Sequence, residues 1–430
     1  MTAPGEGQPT EGSTAGPKAP PEPAARSSNS LVLGRNLVIC LDGTNNEPET
    51  GVTNVARLYE VAVKQPDQQL VYYDPGVGTM GARGAVTRWG KMLTRFAGLI
   101  AGFGIKDNIE EAYTWLADNY RRGDQVYVFG FSRGAYTARA LTGMLRTVGL
   151  LRPGTSNLAP YALKLYAQTK GANSPRAAVP PEQRSAKPVG PPPESAASDA
   201  EKAFWRMRDS FTDRFGNPDF PHPFDRQRPQ VHFLGVWDTV KSVGWLNWKA
   251  RIEQARWPFT ARITNVGIAR HAMSIDETRF TFPIYRFDGD AVRTSDGRYK
   301  ELWFAGIHSD VGGQYDDDHA LSDVAFAWMV DEAKEAGLLV DDKVLDRVLQ
   351  RRGIPIEERA LGLIHRNGMY WWILGGWRAR VIYSGDELHE SVWRRMDRGQ
   401  DAKGRPYRPA LPHGLPQPRS KVEGRGGGGN

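Results

Sequence analysis

The sequence predicts an α/β fold, a mostly parallel sheet with helices on both faces. Three observations carry that prediction. Up to Gly149, short apolar and β-branched runs alternate with stretches of helical spacing, the pattern of βα units. The predicted strands end in polar, glycine-containing loops, where such folds place ligand groups. Residues 125–149, QVYVFGFSRGAYTARALTGMLRTVG, join a strand to a helix through a turn so sharp that it needs small residues.

Residues 1–30 are rich in Pro, Ala, Gly and Ser and nearly free of large apolar side chains, so they are expected to be a disordered tail before a domain over 31–396. The first strand, NLVICL, runs into Asp42-Gly43-Thr44-Asn45-Asn46. Asn54 is placed to cap a helix whose apolar face is Val55, Leu58, Tyr59 and Ala62. A second strand over 70–73 ends in DPGVGT, whose Pro and Gly residues demand a tight turn. Residues 81–104 show no clean period. Asp107, with Glu110 in the reciprocal position, is expected to cap a helix burying Ile109, Ala112, Tyr113, Leu116 and Tyr120. The strand of residues 125–131 follows, and from Ala135 the residues Ala138, Leu141, Leu145 and Val148 repeat at helical spacing up to Gly149.

Residues 150–230 break the rhythm. They read as an inserted cap over a site or as a surface elaboration, and within them the Pro-, Ala- and Ser-rich residues 169–200 are expected to be flexible. The sheet resumes over 231–236 and ends in Trp237-Asp238-Thr239-Val240. NVGIARHAMSIDETRF has helical character and FPIYRF strand character. A last clear strand over 302–307 delivers the loop HSDVGG, and Leu321, Val324, Ala325, Trp328 and Met329 mark the helix after it. From 397 to 430 the Pro, Gly and Arg content predicts a basic, disordered tail.

The net charge is +7, and residues 378–430 hold 11 Lys and Arg against 6 Asp and Glu. No basic motif is interleaved with aromatics, so a solvated basic tail is expected and nucleic acid is not. The single Cys40 excludes an internal disulfide framework and lies in a strand-like run, where it is expected to be buried and inert. No signal peptide is evident and no apolar run is long enough to span a membrane, which points to a cytoplasmic location unless a signal-independent route exports the chain. Residues 92–105 and 370–377 are apolar and short. They read as core or as a peripheral membrane contact beside the basic C-terminal part. Oligomeric state is not legible.

Gly130-Phe131-Ser132-Arg133-Gly134 is a G-x-S-x-G between strand and helix, the context in which such a serine is exposed as a nucleophile. The plainer reading makes Ser132 a helix cap. An activated serine needs a base, and the base needs an acid. In α/β-hydrolases the order along the chain is nucleophile, acid, histidine. Here Ser132 is followed by Asp238 and then His308, each just past a predicted strand, and such strand ends converge in a parallel sheet. Among eight histidines, His271 is the rival base, read as a helical residue. Asp310 is the rival acid, and Asp276 and Glu277 are weaker because a helical acidic pair is usually solvated. Oxyanion donors are expected from the backbone of Arg133 and from the loop holding Gly43 and Thr44, with Asp42 bracing that loop. No metal-ligand spacing is present, and no cofactor is expected.

LDGTNN, YYDPGVGT, DNIEEAYTWL, GFSRGAYTAR, GVWDTV, ARHAMSIDE and HSDVGGQY together resemble an α/β-hydrolase domain family of largely uncharacterised members that includes the phospholipase effectors of bacterial type VI secretion. The resemblance spans roughly residues 36–332. It implies an α/β-hydrolase fold, a Ser-Asp-His triad at Ser132, Asp238 and His308, and phospholipase A-type cleavage of glycerophospholipids without a metal in the chemical step. Many members are longer, with added membrane-docking regions, and residues 169–200 depart from the pattern. The reading is a serine hydrolase of carboxylic esters, with lipid as substrate class. The alternatives are a small-molecule esterase or thioesterase, and an inactive hydrolase-fold binding protein.

Overall fold

The computed structural model describes residues 34–43, 52–76, 104–169, 199–225, 227–240, 257–350, 353–356, 358–368 and 376–413, with the single residues 1 and 415. Contacts divide the chain into Met1–Leu33 and Gly34–Asn430, and the description concerns the second unit. The expectations for residues 1–30, for most of 169–200 and 92–105, for 370–375 and for the end of the chain fall outside the described residues.

Among the described residues, seven strands form one parallel sheet: β1 (Asn36–Leu41), β2 (Gln69–Asp74), β3 (Gln125–Phe131), β4 (Val231–Trp237), β5 (Val266–Ser274), β6 (Tyr299–Phe304) and β7 (Glu387–Leu388), in the order β2-β1-β3-β4-β5-β6-β7. Strand order therefore reverses at β1. The crevice between the carboxyl ends of β1 and β3 is the place where open α/β sheets bind ligands.

Side chains on β1 alternate between two cores. Leu37, Ile39 and Leu41 join one cluster, and Val38 and Cys40 join the other. The first cluster is closed by helices α2 (Ile105–Asn119) and α3 (Arg133–Val148), through Ile109, Tyr113, Leu116, Leu141 and Leu145. The second is closed by α1 (Asn54–Val61) and the long helix Ala320–Glu335, through Val55, Leu58, Phe326 and Met329. Cys40 is fully buried, as its apolar run predicts. Each buried Leu or Phe here stabilises the layers by about 1.5–3 kcal/mol relative to exposure. This is an α/β-hydrolase-like fold.

Several elements differ from expectation. The segment read as helical around His271 is strand β5, buried on both faces, which removes the polar alternation that marks a half-exposed strand. FPIYRF is irregular and touches β4's extension by a single bridge, Val240 to Ile284, since Pro283 has no N–H to give a ladder. Thr53, not Asn54, caps α1, its hydroxyl accepting from the Ala56 N–H at 3.1 Å. Asn54 instead donates to the carbonyls of Val311 (2.9 Å) and Ser322 (3.2 Å). Gly104 opens α2, and Asp107 lies in its first turn, where a negative charge suits the helix dipole.

The described part of the 150–230 excursion consists mainly of α4 (Ala159–Gln168) and α5 (Asp199–Phe215). A Leu151–Gly216 bridge joins its start to the residue after α5, and α4 packs on α2 and α3. The start of the expected C-terminal tail is packed as well. Tyr407 is 1% exposed and its hydroxyl donates to Asp276 Oδ2 at 2.9 Å. Composition misses this because one aromatic anchor among Pro, Gly and Arg suffices to hold the strap down.

Candidate active site

The chain enters Ser132 from β3 and leaves it as α3. Ser132 has φ 58° and ψ −119°, a region few residues with a side chain occupy. It stands at the N-cap position yet makes no side-chain cap hydrogen bond, so the helix-cap reading of its hydroxyl does not hold. The flanking glycines are required by space. A Cβ on Gly134 would meet the carbonyl oxygens of Leu41 at 2.2 Å and Asp42 at 2.4 Å, and one on Gly130 would meet the Gly134 carbonyl oxygen at 2.5 Å. That close approach presses the end of β1 against the start of α3.

The three residues in the expected order converge. His308, 4% exposed, opens the short helix α6 (His308–Gly312) after β6, where a loop was expected. Its Nε2 lies 2.8 Å from Ser132 Oγ, and its Nδ1 lies 2.6 Å from Asp238 Oδ2. An ionised carboxylate only accepts, which assigns the proton to Nδ1 and leaves Nε2 to accept from the serine hydroxyl. Burial lowers the His308 pKa from its ordinary value, although Asp238 pulls the other way. The imidazole is therefore neutral at neutral pH. Phe131 and Phe282 enclose it, with ring centroids 4.6 Å and 5.0 Å away.

Asp238 follows β4 at φ 38° and is fully buried. Burial alone would push its carboxyl up. Arg380 and His308 outweigh that and hold it far below the ordinary carboxylate range. Its Oδ1 accepts from Ser274 N–H (2.8 Å) and Arg380 Nη1 (2.6 Å), and its Oδ2 also accepts from Arg380 Nη2 (2.9 Å). Sequence reasoning missed Arg380. It lies in a stretch without a period, and no spacing links it to a partner at position 238.

The rival residues serve elsewhere. His271 sits on β5, fully buried, with Nδ1 2.9 Å from Glu301 Oε1. Its Nε2 accepts the Thr239 N–H at 3.1 Å. A backbone N–H can only donate, so His271 is neutral with its proton on Nδ1, and its one lone pair is in use. Burial lowers its pKa in agreement. It holds the backbone beside Asp238 and does not reach Ser132 through either nitrogen. Asp310 takes a different histidine, accepting from His365 Nδ1 at 2.5 Å and from the Ile307 N–H at 2.9 Å.

Glu277 is buried and Asp276 half-buried, not solvated, because they directly follow strand β5 and no helix is present there. Burial pushes Asp276 up to about 6. Glu277 accepts from Arg279 and, at 3.2 Å, from the His308 backbone N–H.

Of the expected oxyanion donors, Arg133 is the first residue of α3, at the positive end of the helix dipole. Gly43 follows the end of β1, its carbonyl packed against Gly76, and its N–H donates to Asp42 Oδ1 at 2.7 Å. Asp42 also accepts from Thr53 (2.5 Å) and Tyr73 (2.8 Å), and burial pushes its carboxyl up to about 6. Thr44 lies outside the described residues. Among the described residues no group of three or more His, Cys, Asp or Glu side chains is arranged to hold a metal ion.

The sequence model of the family described as T6SS, phospholipase effector Tle1-like, catalytic domain, matches residues 35–332, more than half of the chain. The chain belongs to this Tle1-like family. The matched segment includes Ser132, Asp238 and His308 and stops before Arg380. The uncharacterized protein YEL023C of Saccharomyces cerevisiae is 28% identical over 267 residues, which cover 60% of this chain and 33% of the yeast protein. The chain thus spans about a third of the length of that curated relative. Among solved structures, a Tle1 effector bound to the VgrG spike of the type VI secretion system superposes with a TM-score of 0.40 at 16% identity, covering 76% of this chain and 77% of that one. An uncharacterized protein from Pseudomonas aeruginosa gives 0.35 at 18% identity, covering 76% and 53%.

Proposed function

We propose that this Tle1-like chain is a serine hydrolase that cleaves carboxylic esters of lipids, in the manner of a phospholipase. The observation that carries the reading is the hydrogen-bonded line from Ser132 Oγ through His308 to Asp238, at 2.8 Å and 2.6 Å, within the family's segment. Ser132 Oγ attacks the ester carbonyl carbon as its proton passes to His308 Nε2. The charge left on the carbonyl oxygen is stabilised by the Arg133 N–H and the α3 dipole at this nucleophile elbow. Gly43 supplies a second donor by exchanging its Asp42 contact for the oxyanion. The tetrahedral intermediate collapses as His308 gives its proton to the leaving alcohol. Water, deprotonated by the same imidazole, then releases the fatty acid from Ser132. Asp238 stays ionised throughout and stabilises the imidazolium at each step.

Lipid as substrate class is supported by the family and by the aromatic walls around His308. Fatty-acid release from phosphatidylcholine vesicles, compared with hydrolysis of p-nitrophenyl butyrate, tests it. The reading predicts that the wild type acts on both and favours vesicles, while a folded Ser132→Ala acts on neither. Activity confined to the soluble ester makes the chain a small-molecule esterase. Equal activity of Ser132→Ala removes the mechanism.

A further inference from the structure

Asp238 owes its setting to a residue outside the family-matched segment. Residues 376–380 run antiparallel to 278–280: Arg279 bridges Trp377, the Phe280 N–H donates to the Gly376 carbonyl at 3.1 Å, and the Arg378 N–H donates to the Thr278 carbonyl at 2.6 Å. This pairing delivers the Arg380 side chain, 4% exposed, into the site. Its fork spans both carboxylate oxygens of Asp238, at 2.6 Å and 2.9 Å. It is itself fixed by the Ser274 carbonyl (2.9 Å), the Ser274 hydroxyl (2.7 Å) and the Phe282 carbonyl (3.0 Å). Phe282 in turn lies edge-on to the His308 ring.

We infer that Arg380 is a positioning residue for the proposed reaction, fixing the Asp238 carboxylate so that Oδ2 faces His308 Nδ1, and that the proposed active site is incomplete without the chain beyond residue 332. The inference rests on the function proposed above. Two physical effects follow from the geometry. A carboxylate turns freely about its last bond. The planar fork of an arginine holds both oxygens at once, which a lysine cannot do. The guanidinium charge also balances the Asp238 charge. Without it the bare carboxylate draws a proton onto His308 and takes the base out of its neutral form. The other charged groups facing His308 are Glu277, which accepts its backbone N–H, and Arg279, which favours the neutral ring. Neither touches Asp238 in place of Arg380. The fork bonds to Asp238, Ser274 and Phe282, so Arg380 acts through Asp238 and is not itself catalytic.

The test uses the full chain with Arg380→Met and Arg380→Lys, p-nitrophenyl butyrate as substrate, and kcat and KM measured from pH 5 to 9, with melting temperatures on the same samples. Arg380→Met is expected to lower kcat by about 10–100-fold at little change in KM, the scale of a misplaced catalytic group. It is also expected to move the acidic limb up by about one pH unit. Arg380→Lys keeps the charge and loses the fork, so its acidic limb stays at the wild-type position while kcat recovers only in part. The Lys variant decides the matter if the Met variant does not fold. The inference is overturned if the folded variants keep wild-type kcat and limb, or if activity falls only with the folded fraction and the limb does not move. A wild type as inactive as Ser132→Ala overturns the proposed reaction itself, and the two failures are thereby distinct.

Discussion

At the scale of single residues, the site is a set of side chains held where their chemistry is forced. Ser132 and Asp238 both lie at positive φ, 58° and 38°, and both are fastened to neighbouring strands. Ser132 N–H donates to the Trp237 carbonyl at 3.1 Å, and Asp238 N–H donates to the Ala272 carbonyl at 2.7 Å. Gly134 is the residue on which this depends most directly. Gly134→Ala forces a Cβ into the carbonyls of Leu41 and Asp42, and overpacking of this kind costs about 1–3 kcal/mol. Thermal melting is expected to show that loss. The proposed mechanism gives the two buried histidines different expected effects. His308→Ala is expected to reduce ester hydrolysis by at least about 10⁴-fold without unfolding the protein. His271→Ala leaves the Thr239 N–H without its acceptor and is expected to cost about 1–3 kcal/mol of stability. It lowers activity far less. The reverse ranking of the two activities contradicts the assignment.

At the scale of elements, the sequence is legible where a strand or helix carries its own pattern. β1, β2, β3, β4 and the long helices show theirs, and the G-x-S-x-G stands where strand gives way to helix. β5 does not. Both its faces are buried, and it carries Arg270 and His271, which are tolerated only because Glu332 and Glu301 receive them. Neither partner is visible from the local sequence. β7 is two residues long, too short for any period. Arg380 is hidden for a related reason, since its role arises from contact with residues far away along the chain. The packing of Tyr407 is the most testable surprise. Tyr407→Ala empties a buried site and removes the Asp276 contact, so a loss of about 3 kcal/mol is expected in denaturant unfolding. An unchanged midpoint means that this strap is not held by Tyr407.

At the scale of the molecule, the site sits beside the crevice where strand order reverses, and residues from the ends of β1, β3, β4 and β6 meet there. Residues beyond the family's segment reach that end of the sheet. Arg380 reaches Asp238, His365 reaches Asp310 and Asn367 reaches Glu277. A chain ended at residue 332 is therefore expected to lose activity even if it stays soluble. No helix among the described residues is long and apolar enough to cross a membrane. The pH dependence follows from His308. Burial lowers its pKa, so activity should rise with pH through a value below the ordinary histidine pKa of about 6.5. Asp238, held ionised by Arg380, adds no limb in that range. The central claim is that Ser132 is a nucleophile made reactive by His308, and its most direct test is covalent labelling with a fluorophosphonate, followed by mass-spectrometric location of the adduct. The prediction is one adduct, on Ser132, forming at a rate that rises through the His308 pKa and vanishes in His308→Ala. An unlabelled wild-type protein, or an adduct on another residue, contradicts it.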